Sequence, residues 1–168
     1  PAGGNQGGSP LVRGSTSLPR PVRAVIVQVP LLDLLRYHRL LIARLWIPEY
    51  GAPDTAEDFA WLSAYSPYHH VKPGTAYPAV LLATAESDTR VDPLHARKMA
   101  ARLQADSVSG LPVLLRLEPT AGHGAGKPVS KVLEDLTDPW SFVFGELDGA
   151  RQFVRGGAPP GCGACPVG

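Results

Sequence analysis

Two segments carry residue types that could do chemistry together. Ser87-Asp88-Thr89-Arg90-Val91-Asp92-Pro93-Leu94-His95 follows the apolar run 79–85, and Ala121-Gly122-His123-Gly124-Ala125-Gly126-Lys127 follows the apolar run 113–117. Each precedes a helical pattern, so an acid and a histidine close two successive strands, Asp88 first and His123 second. A carboxylate can fix the tautomer of an imidazole and stabilise its protonated form. The imidazole can take a proton from a hydroxyl that attacks an acyl group. Gly122 and Gly124 leave the His123 ring unobstructed. Taken singly, each residue reads as a loop carboxylate or an exposed histidine, and their shared place at strand ends relates them. Active groups of an open parallel sheet gather at such carboxyl ends. The missing member is a serine.

The elements that must position these residues follow from apolar patterning. Ala24-Val25-Ile26-Val27-Gln28-Val29 is a continuous run that suits a strand buried on both faces, and it stops at Pro30. From Leu31 to Leu45 the apolar positions Leu31, Leu34, Leu35, Leu41, Ile42 and Leu45, together with His38, fall at helical spacing and predict a helix. Asp54-Thr55-Ala56-Glu57 resembles a capping box opening a second helix through about Tyr65, which Ser66-Pro67 ends. Strand 79–85, a helix over 93–105 with Ala96, Met99, Ala100 and Leu103 on one face, and strand 113–118 come next. A last helix over 128–147 has Val129, Val132, Leu133 and Leu136 inward, with Pro139 interrupting or restarting it. Alternating strands and helices imply a parallel sheet with helices on both faces. The fold class is α/β, and an acid then a histidine at successive strand ends resembles the C-terminal half of an α/β-hydrolase sheet, which implies a partial α/β-hydrolase fold flanked by helices.

Composition narrows the function classes. The 168 residues suit one domain, 44% are apolar, and a formal net charge of +1 gives no electrostatic reason to expect nucleic acid. Lys and Arg are scattered rather than striped. No apolar run is long enough to cross a bilayer, and no basic-then-apolar leader is visible. The chain reads as soluble, with the cytoplasm the favoured compartment. Pro1 opens the chain and Met99 is its one methionine, so the sequence reads as beginning inside a longer gene. Cys162 and Cys165 form a lone Cys-x-x-Cys in a Gly- and Pro-rich tail. A zinc site needs four ligands, so this reads as an unstructured tail with two thiols, and no metal or cofactor is expected.

The resemblance that these segments carry is to the C-terminal part of the catalytic domain of the prolyl oligopeptidases, serine peptidases that cleave after proline. It runs through Gln28-Val29-Pro30-Leu31-Leu32-Asp33-Leu34-Leu35-Arg36-Tyr37-His38, Trp46-Ile47-Pro48-Glu49-Tyr50-Gly51, Tyr65-Ser66-Pro67-Tyr68-His69 and the two segments of Asp88 and His123, in the family's order. It implies that Asp88 and His123 are triad acid and base. It implies that the Trp46 ring stacks on a substrate proline, that Tyr50 lines the same pocket, and that Arg90 hydrogen-bonds a substrate carbonyl. Leu31 and Val91 fall on apolar pocket positions. The expected partner is a proline-containing peptide. His38, His69, His70 and His95 read as structural or solvated, since no metal-ligand spacing joins them.

The family's nucleophile lies in Gly-Gly-Ser-Asn-Gly-Gly, where this chain has Gly3-Gly4-Asn5-Gln6-Gly7-Gly8, with Asn5 in the place of serine. Ser9 is a poor substitute, because Pro10 after it lacks the N–H that an oxyanion needs. The segment 9–17 holds Pro, Gly and three serines and makes a poor helix. Residues 1–22 therefore read as a degenerate, poorly ordered nucleophile-elbow region, 23–148 as the C-terminal part of a peptidase domain, and 149–168 as a disordered tail. The family's propeller domain and earlier strands are not in this sequence. Three readings follow: a proline-specific serine endopeptidase piece that has lost its nucleophile and is inactive alone, a non-catalytic binder of proline-containing peptides or of a partner, and another α/β-hydrolase such as an esterase. Trp46 and Tyr50 beside Arg90 weigh against the last, which has no use for a peptide-carbonyl clamp beside a proline platform.

Overall fold

Apolar runs without alternation belong between covering layers, and the middle run shows it. The computed structural model describes residues 22–119 and 129–154, with side chains as far as 147. Asn5, Ser9, Pro10, His123, Cys162 and Cys165 lie outside the described residues. Strands β1 (Ala24–Gln28), β2 (Ala79–Ala85) and β3 (Val113–Glu118) form a sheet in the order β1-β2-β3. Both pairings are parallel: Ala24 faces Ala79, Gln28 faces Ala83, Val80 faces Val113 and Ala85 faces Glu118. All seven residues of β2 are buried. The carboxyl ends of the three strands therefore share one edge, as the sequence predicts.

Helices α1 (Ile47–Tyr50), α2 (Ala56–Tyr65), α3 (Leu94–Asp106) and α4 (Val129–Val154) complete the described regular structure, with 3-10 turns at Tyr37–Arg39, Ala43–Trp46 and Pro67–His70. Helix α2 begins where its cap predicts, the Thr55 hydroxyl accepting from the Asp58 N–H at 3.3 Å. Helix α3 buries Ala96, Met99, Ala100 and Leu103 at helical spacing against Val25, Val27, Val80, Leu82 and Val113. These strand residues share one parity and hence one face of the sheet. Burial of Met99 and Leu103 contributes roughly 1.5–3 kcal/mol each.

Three expectations are corrected. The stretch 31–45 is not a helix but a chain of bends and 3-10 turns. Its backbone groups are engaged by distant residues: the Asp33 N–H donates to His95 Nδ1 at 3.2 Å, the Leu34 N–H to Ser66 Oγ at 3.1 Å, and the Leu32 carbonyl accepts from the Tyr68 N–H at 3.1 Å. Leu41 then takes a left-handed φ of 47°, which no helix tolerates. Pro139 neither ends nor restarts α4, which runs through it and past residue 148 to Val154. Arg116 holds the turn of helix just before the proline, through Asp135 at 3.0 Å and Asp138 at 2.5 Å. Finally, Val129, Val132, Leu133 and Leu136 are not packed inward but substantially exposed. Val132 and Leu136 line a cavity between this end of α4 and the strand ends, and the Arg116 pairs with Asp135 and Asp138 and the Lys131–Glu118 pair join the two. Among the described residues, no helix is long and apolar enough to cross a membrane.

Candidate active site

Asp88 stands just past the carboxyl end of β2. The Glu86 N–H continues the ladder to the Glu118 carbonyl at 2.8 Å, and the chain then turns, with the Asp88 N–H approaching the Ala85 carbonyl at 3.4 Å. Asp88 is 4% exposed, and one carboxylate oxygen, Oδ1, accepts from the N–H groups of Arg90 (2.8 Å) and Val91 (2.9 Å). A short acid next to a turn is well suited to this, because its side chain replaces a backbone acceptor. The arrangement fixes the carboxylate and buries Val91, while leaving the Arg90 side chain exposed. Asp92 then accepts from the Leu94 N–H at 2.8 Å and starts α3.

Asp88 lines a cavity of about 310 Å³ at the strand ends. Gln28 and Val29 come from the end of β1, Ala83 to Ala85 from β2, Arg116 and Glu118 from β3, and Val132, Asp135 and Leu136 from α4. Val29 has φ 46°, an outlier for a β-branched residue, and its N–H still donates to the Ala83 carbonyl at 2.8 Å. Such strain marks positions that surrounding structure over-determines. No sequence pattern announces it. Arg116 and Glu118 were also missed as cavity residues, although a charged pair ending an apolar strand is a readable signal. Glu118, 4% exposed, takes Lys131 at 3.1 Å and Arg116 at 3.6 Å. Burial would lower the Arg116 pKa, but hydrogen bonding to Asp138 and the charge of Asp135 raise it overall.

The aromatic residues form a second group. Leu31, Leu34, Tyr37, Ala43 and Leu62 make an apolar cluster on which Trp46 and Tyr50 pack. The Trp46 and Tyr50 rings lie 6.3 Å apart and tilted by 53°, and Tyr37 meets Tyr50 at 5.7 Å. Burial, then the neighbouring Tyr65 and Tyr50, push the Tyr37 phenol up to about 12, so it stays a donor, to the Gly51 carbonyl at 2.6 Å. Gly51 has φ 98° and lies under the Trp61 ring, where a Cβ would come within 2.5 Å of Cζ2. Only glycine fits there. Thus Leu31, Trp46 and Tyr50 come together, and Asp88 comes together with the backbone of Arg90 and Val91. The chain joins the groups at the end of β1, where Gln28 and Val29 line the cavity and Leu31 enters the aromatic cluster. Among the described residues, no group of three or more His, Cys, Asp and Glu side chains is arranged to hold a metal.

What this arrangement can do chemically is hold a carboxylate rigidly beside the strand whose following segment carries His123. The chain matches a model of the prolyl oligopeptidase family over residues 2–150. It is 40% identical over 149 residues to the prolyl endopeptidase of Elizabethkingia miricola, covering 87% of this chain and 21% of that protein. It is 38% identical over 144 residues to a prolyl oligopeptidase of Omphalotus olearius, covering 84% and 19%. A solved prolyl endopeptidase superposes with a TM-score of 0.78 at 47% identity, over 84% of this chain and 21% of the other. Prolyl oligopeptidase B of Galerina marginata, bound to a 35-residue hydrolysis and macrocyclization substrate, gives 0.71 at 33% identity, over 84% and 20%. The chain spans about a fifth of the length of these relatives. The three-stranded sheet is accordingly part of an α/β-hydrolase fold, and the chain belongs to the prolyl oligopeptidase family.

Proposed function

We propose that this chain carries the acid, the base and the proline-recognition surface of a proline-specific serine peptidase, with Asn5 in the place of the nucleophile. Asp88 is the acid, His123 the base, and Leu31, Trp46, Tyr50, Arg90 and Val91 form the substrate surface. The observation that carries the reading is the Asp88 carboxylate, buried past the end of β2 and fixed through Oδ1 by two backbone donors. Its second oxygen is on the same rigid group, and an acid that orients an imidazole needs that rigidity. The aromatic pair supports the binding half, since a flat apolar wall takes a pyrrolidine ring at little polar cost. An amide at position 5 cannot be activated for acyl transfer. Loss of the serine from a triad costs about a million-fold in turnover in the subtilisin precedent, so peptide is bound but not cleaved. The test is a blocked peptide with a chromogenic group after proline, offered to the 168-residue chain. Binding reported by Trp46 without turnover is expected. Absence of binding overturns the proposed surface, and turnover overturns the role of Asn5.

A further inference from the structure

We infer that Asp33 is a positioning residue that fixes the proline-binding segment relative to the acid-bearing segment. This rests on the substrate surface proposed above. Asp33 is 1% exposed, two residues after Leu31, and its carboxylate serves neither the cavity nor the aromatic cluster. Instead it faces α3. Its Oδ2 takes the Lys98 ammonium and, at 3.3 Å, the Arg36 guanidinium. Its backbone N–H donates to His95 Nδ1, one turn before Lys98 on the same helix. Its Oδ1 faces His69 Nε2 at 3.8 Å, beyond hydrogen-bond reach, while His69 Nδ1 lies 2.8 Å from Ser66 Oγ. Ser66 and Tyr68 in turn engage the neighbouring backbone at Leu32 and Leu34. The segment 32–34 is therefore clamped by side chains from α3 and from the 66–69 turn, and by few bonds of its own.

The clamp connects the two halves of the candidate site. On one side Leu31 and Leu34 enter the cluster beneath Trp46 and Tyr50, while Leu32 enters the sheet core. On the other side α3 follows directly from the Asp88 turn. Asp88 holds Arg90 and Val91, Asp92 caps Leu94, and the His95 N–H donates to the Asp92 carbonyl at 3.1 Å. From Asp88 to Asp33 the connection runs through these hydrogen bonds and the short stretch of backbone between Val91 and Asp92. Removing the Asp33 charge leaves the Lys98 ammonium, on a side chain 25% exposed, with the Tyr68 ring at 4.4 Å but no carboxylate, so the tie between the segment and the helix loosens and the two can shift.

The experiment compares Asp33→Asn and Lys98→Gln with the parent chain, and with Gly110→Ala, which strains the backbone at φ 70° in the α3–β3 loop. In amide-correlation NMR spectra, both clamp variants move the Trp46 indole signal and the Arg90 and Val91 amide signals, and Gly110→Ala leaves all three in place. Shifts confined to residues 32–36, 66–69 and 95–98 overturn the inference. Titration with a blocked Ala-Pro dipeptide adds a functional readout, in which Asp33→Asn weakens binding about tenfold at a temperature where it remains folded. Equal weakening by Gly110→Ala means that lost stability, not positioning, is responsible, and overturns it. A parent chain that fails to bind the dipeptide refutes the proposed surface instead, and the NMR signals still decide the role of Asp33. Loss of fold in Asp33→Asn leaves the decision to Lys98→Gln.

Discussion

Acidification should destabilise this domain through His95. The residue is 1% exposed, and its Nδ1 accepts the Asp33 N–H at 3.2 Å, so the ring must be unprotonated there. Burial is the main cause that lowers its pKa, from 6.5 to about 4, with Lys98 adding to the effect and Asp33 and Asp92 opposing it. The unfolded chain binds a proton at this ring that the folded chain refuses. Stability is therefore full above about pH 6.5, falls as the pH drops, and reaches its floor near 4. At about 1.4 kcal/mol per pH unit the whole loss is roughly 3 kcal/mol, of which roughly 2 falls between pH 7 and pH 5, above the ordinary carboxylate range. His69, whose pKa burial also lowers, adds a loss of the same sign. His95→Asn isolates the His95 part, because the amide oxygen can accept from Asp33 without titrating. Urea unfolding of both proteins at pH 7 and pH 5 gives the comparison. The variant should be less stable at pH 7 for want of the ring, and its loss between the two pH values should be smaller than the parent's by roughly 2 kcal/mol. Equal losses in the two proteins would refute the reasoning.

Substitutions at three further positions test the scaffold. Asp88→Ala strips the acceptor from two backbone donors, one of them at buried Val91, and should cost about 1–3 kcal/mol in urea unfolding, whereas Asp88→Asn keeps an acceptor and should cost less than about 1. Equal costs would show that the charge rather than the hydrogen bonds holds the turn. Gly51→Ala meets both a φ of 98° and the Trp61 ring, and should cost about 2 kcal/mol or more. Gly110→Ala, with φ 70° and open space around it, should cost about 1 kcal/mol.

The strands, their parallel pairing, α2 and α3 were legible because apolar patterning and local caps decide them. In β2 the run Ala79-Val80-Leu81-Leu82-Ala83-Thr84-Ala85 has no polar face to offer water, so a central strand is its one stable use. The stretch 31–45 was misread because helical spacing was present while its backbone donors were taken by His95 and Ser66, residues 62 and 32 positions away. Periodicity cannot see such partners. Pro139 belongs to the same class, since Arg116 on a strand braces the helical turn just before it. His95 reads from the sequence as structural or solvated, and only the packed core decides for the first and makes its ring a neutral acceptor. At the candidate site, strand ends placed Asp88 from sequence alone, and Leu31, Trp46 and Tyr50 were brought to one cluster from segments that only the family resemblance had linked.

The central claim is most directly tested by presenting the chain with a blocked peptide carrying a chromogenic group after proline, and recording turnover and Trp46 fluorescence together. Trp61→Phe and Trp140→Phe leave Trp46 as the one indole of the chain. The account predicts a saturable change in Trp46 fluorescence, abolished by Leu31→Asp, and no release of the chromogenic group. Release that disappears in His123→Ala would mean that a nucleophile other than residue 5 completes the triad. A flat fluorescence titration would contradict the proline surface itself.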